Sequence, residues 1–493
     1  MTRINTNVES LIARRALTEN NSSLNQSLAR LSTGLRINSG RDDPAGLIAS
    51  EGLRGSIVGI SSAIDNATRA DTIMSVAEGG LQEISSLLLE VEALVDRTAS
   101  EAGLTSNEIA ANQSQIDAIL RSINRIAEST AFGDKKLLNG NFDFTTSGVN
   151  VTEATGATVD QIDNVQVNAA DIAEGSYRQV NATVVTASTL AIVSAVGTGT
   201  DGGGLLNIVR SAVTLQIQGT LGTEILSFAS GTTTTEMKTA INGSKELTGV
   251  SATASAATGG ATALVMQSTT FGSDAFVSVA ILDNTTALTI GGETARGDGT
   301  DGTVTVDGAN ATVKGLDASV RIGSLDLDLT MSSAFGSTAG GTATFEITGG
   351  GALFSISPTV GLAGQETIGI TQATTANLGT QANGYLSTLG TGSTNALSSR
   401  NYATAQRVVK DSISQIAKLR GRIGAFQKNT LQTTINSLRV AQENVTAAES
   451  AIRDADFAAE TSNLTRAQIL VNSSTLTLQM ANAQPQSALQ LLG

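Results

Sequence analysis

A seven-residue apolar repeat near the start of the chain constrains the fold more than any other feature. Its first row consists of Ile60, Ala67, Met74, Leu81, Leu88 and Val95. Its second row, three positions later, consists of Ala63, Ala70, Ala77, Ile84, Val91 and Thr98. A repeat of this length predicts one long helix, about 58 Å from end to end at 1.5 Å per residue, packed in a coiled-coil-like bundle.

The chain changes character twice along its length. A helical period returns near the C-terminus, where Leu438, Val445 and Ile452 stand seven residues apart. The middle is rich in Thr, Gly, Ala and Ser, and it alternates apolar and polar residues in stretches such as 209–217 and 324–329. We therefore predict an α+β fold: a long antiparallel coiled-coil-like helical bundle made from both chain ends, with an inserted, mostly β outer region.

The outermost ends carry only a narrow apolar stripe, flanked by Asn, Ser, Thr and Gln. The stripe consists of Ile4, Leu11, Leu24, Leu28 and Leu31 at one end, and Leu464, Val471 and Leu478 at the other. Such segments bury too little apolar surface alone to offset the entropy of ordering them. Two interpretations stay open: the ends order when neighbouring copies cover the stripe, or they are the frayed helices of a monomeric bundle.

Composition excludes several classes of function. The 493 residues include no His, Cys or Trp, so His- or Cys-dependent zinc sites, Ser-His-Asp triads and thiol nucleophiles are impossible. We expect no enzyme, no cofactor and no metal site. The formal net charge of −14 and the 3% of aromatic residues argue against nucleic-acid binding. We find neither a secretory signal nor an apolar run of 18 residues, so we expect no membrane insertion and export by another route.

Longer motifs at both ends resemble the bacterial flagellins. At the N-terminal end the similarity lies in Ile4–Asn7, Leu28–Ser39, Asp42–Gly46 and Phe132–Gly140. At the C-terminal end it lies in Gly424–Gln427, Glu443–Ser450, Ile452–Phe457, Leu464–Leu470 and Ala481–Gln486. The resemblance covers about 140 residues at one end and 90 at the other, in the order in which flagellins have them.

This resemblance implies a structural subunit that polymerises into the extracellular flagellar filament for motility, after export in an unfolded state by the flagellar type III apparatus. Residues 1–40 and 456–493 would line the inner tube of the filament, through the stripe residues given above. Residues 41–142 and 400–455 would form the surrounding bundle layer, and 143–399 the variable outer domain or domains. Expected partners are further copies of the chain, an export chaperone on the helix Leu464–Met480, and the filament cap and hook–filament junction proteins.

Within the bundle layer, the predicted seam consists of Ile60, Met74, Leu81, Leu88, Leu438, Val445 and Ile452. Two alternatives to a plain filament subunit are kept. One is a hook–filament junction protein, which has related terminal helices but forms an adaptor ring. The other is a filament subunit whose outer domain also acts as an adhesin.

Two further features follow from the resemblance. Residues 237–282 resemble the hook IN motif of flagellins and hook-associated proteins. Flagellins that the vertebrate innate immune receptor detects usually have Arg at the position of Glu90. A change from Arg to Glu reverses the charge and removes five hydrogen-bond donors, so we predict weak activation of that receptor.

Three candidate sites have simpler structural interpretations. The stretch Gly297–Gly302 is similar to a calcium-binding repeat but occurs once, and a surface turn explains its Asp and Gly residues. Thr232–Thr235 could carry O-linked sugars, although strand and loop residues of this kind are common. Asp42 and Asp43 could hold a metal, but adjacent carboxylates at a turn more often cap a helix or pair with Arg.

Overall fold

The computed structural model describes residues 6–100, 103–152, 162–172, 176–197, 200–201, 204–205, 212–256, 262–283, 288–289, 294–323 and 325–490. Helices occupy both ends of the chain and strands dominate the middle, which confirms the predicted fold class. The chain divides into two compact units. The first comprises Met1–Arg69, Ser355–Gly364 and Asn429–Gly493, and the second comprises Ala70–Phe354 and Gln365–Lys428.

The helices near the N-terminus are α1 (Val8–Thr33), α2 (Pro44–Ala99) and α3 (Ser106–Ser129). Gly34 ends α1 in the left-handed conformation at φ 72°, and α2 begins at Pro44. Helix α3 starts with a capping box between Thr105 and Glu108. After α3 the short strands β1 (Ala131–Phe132) and β2 (Lys135–Lys136) form a hairpin.

The C-terminal helices are α7 (Tyr402–Ala425), α8 (Gln432–Arg453) and α9 (Phe457–Gln490). A π-helical turn, Phe426–Leu431, joins α7 to α8. In the second unit, α7 runs antiparallel to the later part of α2. Polar pairs follow this contact: Gln406 donates to Asp96 over 2.7 Å, and Arg420 donates to Glu78 over 2.8 Å.

Most of the outer region of the second unit forms two β-sandwiches, one inserted in the other. The strands that precede the insertion are β3 (Phe144–Thr152), β4 (Ile162–Ala169) and β5 (Arg178–Thr186). The insertion begins with β6 (Leu190–Gly197). Those that follow are β7 (Thr200–Asp201), β8 (Gly204–Leu205), β9 (Val213–Gly219), β10 (Thr223–Phe228), β11 (Val250–Ala256), β12 (Thr262–Phe271), β13 (Phe276–Asp283), β14 (Leu288–Thr289) and β15 (Thr294–Asp298). Two helices, α4 (Thr234–Gly243) and α5 (Lys245–Thr248), lie between β10 and β11.

The chain then returns through β16 (Thr303–Val306), β17 (Ala309–Asn310), β18 (Thr312–Lys314), β19 (Asp317–Ile322), β20 (Leu325–Met331) and β21 (Thr342–Gly350), with α6 (Ser333–Gly336) before the last. The short strands β22 (Ala352–Ser355), β23 (Gln365–Ile368), β24 (Gly379–Thr380) and β25 (Gly384–Tyr385) complete the described set. The outer sandwich packs the sheet β17-β16-β5-β21-β3 against β18-β19-β20-β4. The inserted sandwich packs β10-β9-β13-β15 against β11-β12-β6-β14, with α4 contributing to its core.

Two sequence predictions can be checked against these strands. The alternation that ends at Leu329 is strand β20, whose residues alternate between buried and half-buried along its whole length. The alternation predicted over 209–217 corresponds to β9 from Val213 onward, while its first residues, 209–211, lie outside the described set. Residues 237–282, the stretch that resembles the hook IN motif, comprise most of α4, all of α5, β11 and β12, and most of β13.

Candidate assembly surface

Helices α1 and α9 form an antiparallel pair within the first unit. Positions that are buried or half-buried recur on both helices at intervals of three or four residues, which is the spacing of a coiled-coil seam. The large apolar positions of this seam are all half-buried, and they are Leu17, Leu24, Leu31, Leu464, Val471 and Leu478. On each helix, the seam position that follows a large apolar residue holds a small or polar residue, so the seam buries little apolar surface.

Polar side chains cross this seam at several levels. Asn20 donates a hydrogen bond to the hydroxyl of Ser474 over 2.7 Å, and its other contact is the carbonyl of Leu470 at 3.5 Å. Further along, the Asn7 amide donates to the carbonyl of Ala481 over 2.7 Å. These bonds tie residues separated by more than 400 positions in sequence, because the two chain ends lie side by side.

The base of the pair is held by backbone contacts and by charge. The amide of Ala455 donates to the carbonyl of Gly34 over 2.9 Å. The Arg36 guanidinium donates to the carbonyl of Ile452 over 2.6 Å. One turn further, Arg30 lies 3.8 Å from the carboxylate of Glu460, a residue that is only 7% exposed. The pair is therefore anchored where the two ends leave the bundle.

Outside the seam, the two helices carry large apolar side chains that the subunit leaves in solvent. Leu11 on α1 is 57% exposed and Met480 on α9 is 66% exposed. The full set in the described part of these helices is Val8, Leu11, Ile12, Leu28, Phe457, Ile469, Leu470, Leu476 and Met480. We call this set the outer stripe. A concentration of exposed apolar residues on one helix pair is typical of an interaction surface.

The structure separates the predicted inner-tube residues into two groups. Leu24, Leu31, Leu464, Val471 and Leu478 lie in the seam between α1 and α9. Leu11 and Leu28 do not join them, and belong to the outer stripe. Ile4 lies outside the described residues. Sequence reasoning missed most of the outer stripe on α9, although the seven-residue interval between Ile469 and Leu476 was a signal for a second row.

The long repeat of α2 is buried throughout. Both rows from Ile60 to Thr98 are at most 5% exposed, including Met74, Leu81 and Leu88, which are fully buried. In the first unit, Ile60 and Ala63 pack with Leu438, and the half-buried Val445 lies against this cluster. Ile452 is half-buried near the end of α8. Glu90 is exposed on α2.

The contacts observed at Asp42 and Asp43 agree with the capping interpretation. Asp43 caps α2 by accepting from the amide of Gly46 over 2.9 Å, and Asp42 accepts from the amides of Asn38 and Ser39. Hydrogen bonds from Ser39 hold the pKa of Asp42 below its ordinary value. Both carboxylates therefore organise the turn between α1 and α2.

In the stretch Gly297–Gly302, the carboxylate of Asp301 accepts from the amides of Ser273 and Gly315. Although partial burial opposes it, these bonds lower the pKa of Asp301. Within the described ranges, no group of three or more carboxylates is arranged to hold a metal ion. Gly297 and Asp298 belong to strand β15, and the residues after them form an extended link to β16, so the predicted surface turn is wrong. Asp301 instead joins this link to neighbouring loops.

Thr233 and Glu236 form a capping box at the start of α4. The threonine-rich stretch Thr232–Thr235 thus begins a helix, which the strand-and-loop interpretation did not foresee. Whether these threonines carry sugars stays a question for intact-mass analysis.

Comparison with known proteins identifies the family. The model for the bacterial flagellin N-terminal helical region matches residues 4–143, and the model for the C-terminal helical region matches residues 407–492. The B-type flagellin of Pseudomonas aeruginosa is 30% identical over 544 aligned positions, which cover 99% of both chains. Polar flagellin F of Vibrio parahaemolyticus is 42% identical over 139 residues, which span 28% of this chain and 37% of that protein.

Among solved structures, FliC of Burkholderia pseudomallei covers 74% of this chain and 99% of its own, with 14% identity and a TM-score of 0.24, so the assignment rests on the sequences. Helices at both chain ends with a β region inserted between them in sequence, together with these family matches, define a structural subunit of a polymer. This chain belongs to the bacterial flagellin family. Flagellins are structural proteins, and as a flagellin the chain is a subunit of the extracellular flagellar filament used for motility. No helix in the described part of the chain has both the length and the hydropathy to cross a membrane.

Proposed function

We propose that this flagellin polymerises through the outer stripe of α1 and α9, with the terminal helices facing the interior of the filament. The observation that carries the proposal is the concentration of exposed large apolar residues on these two helices. Covering one such side chain completely gains about 1.5–3 kcal/mol, so partial covering of several per subunit supplies an ample driving force for association. A head-to-tail interface between copies generates an open helical polymer when the rotation between neighbours does not close into a ring.

The test compares charge substitutions inside and outside the stripe. Ile469→Asp places a carboxylate on the outer stripe, whereas Ile225→Asp makes the same change at an exposed Ile of strand β10 in the inserted sandwich. We expect the Ile469 variant to raise the concentration needed for seeded polymerisation at least tenfold and the Ile225 variant to leave it within twofold. Normal filaments from the Ile469 variant, seen by electron microscopy, would contradict the proposal.

A second experiment tests the ends as a whole. A chain lacking residues 1–38 and 457–493 removes both terminal helices and keeps the bundle and β regions. We expect long tubular filaments from the intact chain only. Filaments from both chains would show that assembly does not depend on the ends.

We further propose export in an unfolded state through the type III apparatus, with the helix Leu464–Met480 as the handle for an export chaperone. Four residues of this segment, Ile469, Leu470, Leu476 and Met480, are exposed, and a groove-shaped partner that covers them would prevent premature assembly. The absence of cysteine means that no disulfide has to be reduced before threading. Once exported, the subunit would add beneath a cap protein, in a filament joined to the hook by junction proteins.

The role we propose is structural and not enzymatic. It is supported by the family and by a composition without His or Cys, the residues most used as general bases and thiol nucleophiles. The alignment with B-type flagellin over 99% of both chains favours a filament subunit over a hook–filament junction protein. No specific contact in the described residues supports an adhesin role, so that alternative is not favoured.

A further inference from the structure

The apolar residues of the α1–α9 seam repeat too regularly to define how the two helices align. Leu17, Leu24 and Leu31 stand seven residues apart, and so do Leu464, Val471 and Leu478. If α9 slid along α1 by seven residues, two of its three large apolar positions would still meet large apolar partners. In coiled coils, degeneracy of this kind is removed by polar residues in the seam, which specify register at some cost in stability.

Such a slide is physically accessible, even though the base of the pair is anchored at Gly34 and Ala455. Phe457–Asn463, the first heptad of α9, is exposed except for Glu460. A heptad is roughly 10 Å long in a helix and roughly 23 Å long when extended. Unwinding this heptad therefore gains about 12 Å, which exceeds the roughly 10 Å that a seven-residue slide requires. In the slipped pair, the residue facing Ser10 would be Thr475 instead of Asn482.

The polar contacts distinguish the observed alignment from the slipped one. In the observed alignment Asn20 donates to Ser474 over 2.7 Å, and the Ser10 hydroxyl donates to Asn482 over 2.7 Å. After a slide of seven residues Asn20 would face Ala467, which has no side-chain acceptor. The loss of this hydrogen bond disfavours the slipped alignment, because the half-buried amide is left without a protein partner. Unwinding the first heptad would also separate Glu460 from Arg30.

We propose that Asn20 and Ser474 are positioning residues that fix the register of the terminal helix pair against a one-heptad slip. The consequence for the filament rests on the proposed function: only subunits in one register present Leu11, Ile12, Ile469 and Leu476 in the same relative positions to their neighbours. Asn20 and Ser474 replace two apolar residues in the seam, and their hydrogen bond forms in only one alignment of the helices. Polymerisation then needs no further selection among alignments.

Disulfide mapping tests the proposal on the soluble full-length chain, whose lack of cysteine leaves only the introduced thiols to react. Ser10→Cys with Asn482→Cys reports the observed register, and Ser10→Cys with Thr475→Cys reports the slipped one. The mobility of the monomer on non-reducing gels separates disulfides within a chain from those between chains. In the native background we expect the 10/482 disulfide to exceed the 10/475 disulfide at least tenfold.

The two disulfide yields are then compared in three variant backgrounds. Asn20→Leu with Ser474→Leu makes the layer apolar, and we expect the yields to come within threefold of each other without loss of helix content by circular dichroism. The reciprocal exchange, Asn20→Ser with Ser474→Asn, restores a polar pair and should restore the preference. Asn25→Leu makes the same apolar change at an exposed position of α1 and should leave the preference as in the native chain.

A tenfold preference that survives in the apolar background would overturn the proposal, and so would equal yields in the native background. Filament formation is scored separately by electron microscopy. Failure of the intact chain to form filaments refutes the proposed function, whereas the disulfide ratio alone decides the question of register.

Discussion

Replacing Leu88 by Ala tests the packing of the long helix α2. Leu88 is 0% exposed, and its neighbour Leu89, on the same helix, is 55% exposed. Truncating Leu to Ala removes three carbons, or about 2.4 kcal/mol of transfer free energy at about 0.8 kcal/mol per methylene. The cavity left behind adds to this, because a well-packed core relaxes only partly. We therefore expect the free energy of unfolding to fall by about 3–5 kcal/mol.

The matched control is Leu89→Ala, the same chemical change one residue away. Since about half of that side chain is already in solvent, we expect a loss below about 1 kcal/mol. Urea unfolding followed by circular dichroism at 222 nm measures both variants, because most of the helical signal comes from the bundle. Equal midpoints for the two variants, or an unchanged midpoint for Leu88→Ala, would refute the assignment of Leu88 to a core seam.

Three further predictions concern charge, export and recognition. Burial raises the pKa of Asp143 to about 6, above its usual 3.8. The charged form of Asp143 therefore destabilises the folded state, and the free energy of unfolding falls as the pH rises from about 4 to about 6. Asp143→Asn is therefore expected to raise the free energy of unfolding by about 3 kcal/mol at pH 8 and to have little effect near pH 4; a difference independent of pH in urea unfolding would contradict this. Truncation after Asn463 should abolish binding of the export chaperone in a pull-down. Retained binding would refute the assignment of Leu464–Met480 as the chaperone-binding segment. Glu90→Arg should raise the response of receptor reporter cells above that of the unmodified chain, whose own response we expect to be weak; equal responses would show that this position does not matter.

The fold class could be predicted because the signals for it are local. The repeat from Ile60 to Thr98 needs only the geometry of a helix to be recognised, and both of its rows are buried. Helix ends also have local signals, because Gly and Pro restrict the backbone where they occur. Gly34 and Pro44 bracket the break between α1 and α2, and Gly133 takes φ 61° in the hairpin that follows α3.

The two nested sandwiches could not be predicted, because strand pairing in the outer region is not local. Strand β5 pairs with both β16 and β21, across an insertion of more than 100 residues. Alternation shows which face of a strand is buried, but it does not show which strand lies beside it. Register shifts between β16 and β5 and between β12 and β6 add irregularities that a Thr- and Gly-rich sequence does not signal.

The apolar residues of the terminal helices could be predicted from the sequence, but their division between the α1–α9 seam and the outer stripe could not. Leu24 and Leu28 are four residues apart, and this interval is compatible with one helix face. In the structure Leu24 lies in the seam with α9, whereas Leu28 is 47% exposed. The difference arises because the seam continues from Leu24 to the buried Ser27, three residues later, and then to Leu31, which leaves Leu28 at the edge. The direction of a partner helix decides such cases, and it is a tertiary property.

The contrast between α2 and the terminal pair explains how one chain can hold a stable bundle and still have ends available for assembly. Each large apolar position in the α2 repeat is buried, whereas those of the α1–α9 seam are only half-buried and alternate with Asn, Ser and Ala. At about 25 cal/mol per Å² of buried apolar surface, a half-covered Leu contributes about half of what Leu88 does, and the entropy of ordering each helical residue is the same in both places. We therefore expect the terminal pair to be the least stable part of the free subunit and to gain stability when neighbouring copies cover the outer stripe. The hydrogen bonds across the seam then have a distinct role. In a helix pair of low stability with a repeating apolar pattern, they favour one alignment, whereas apolar packing alone does not.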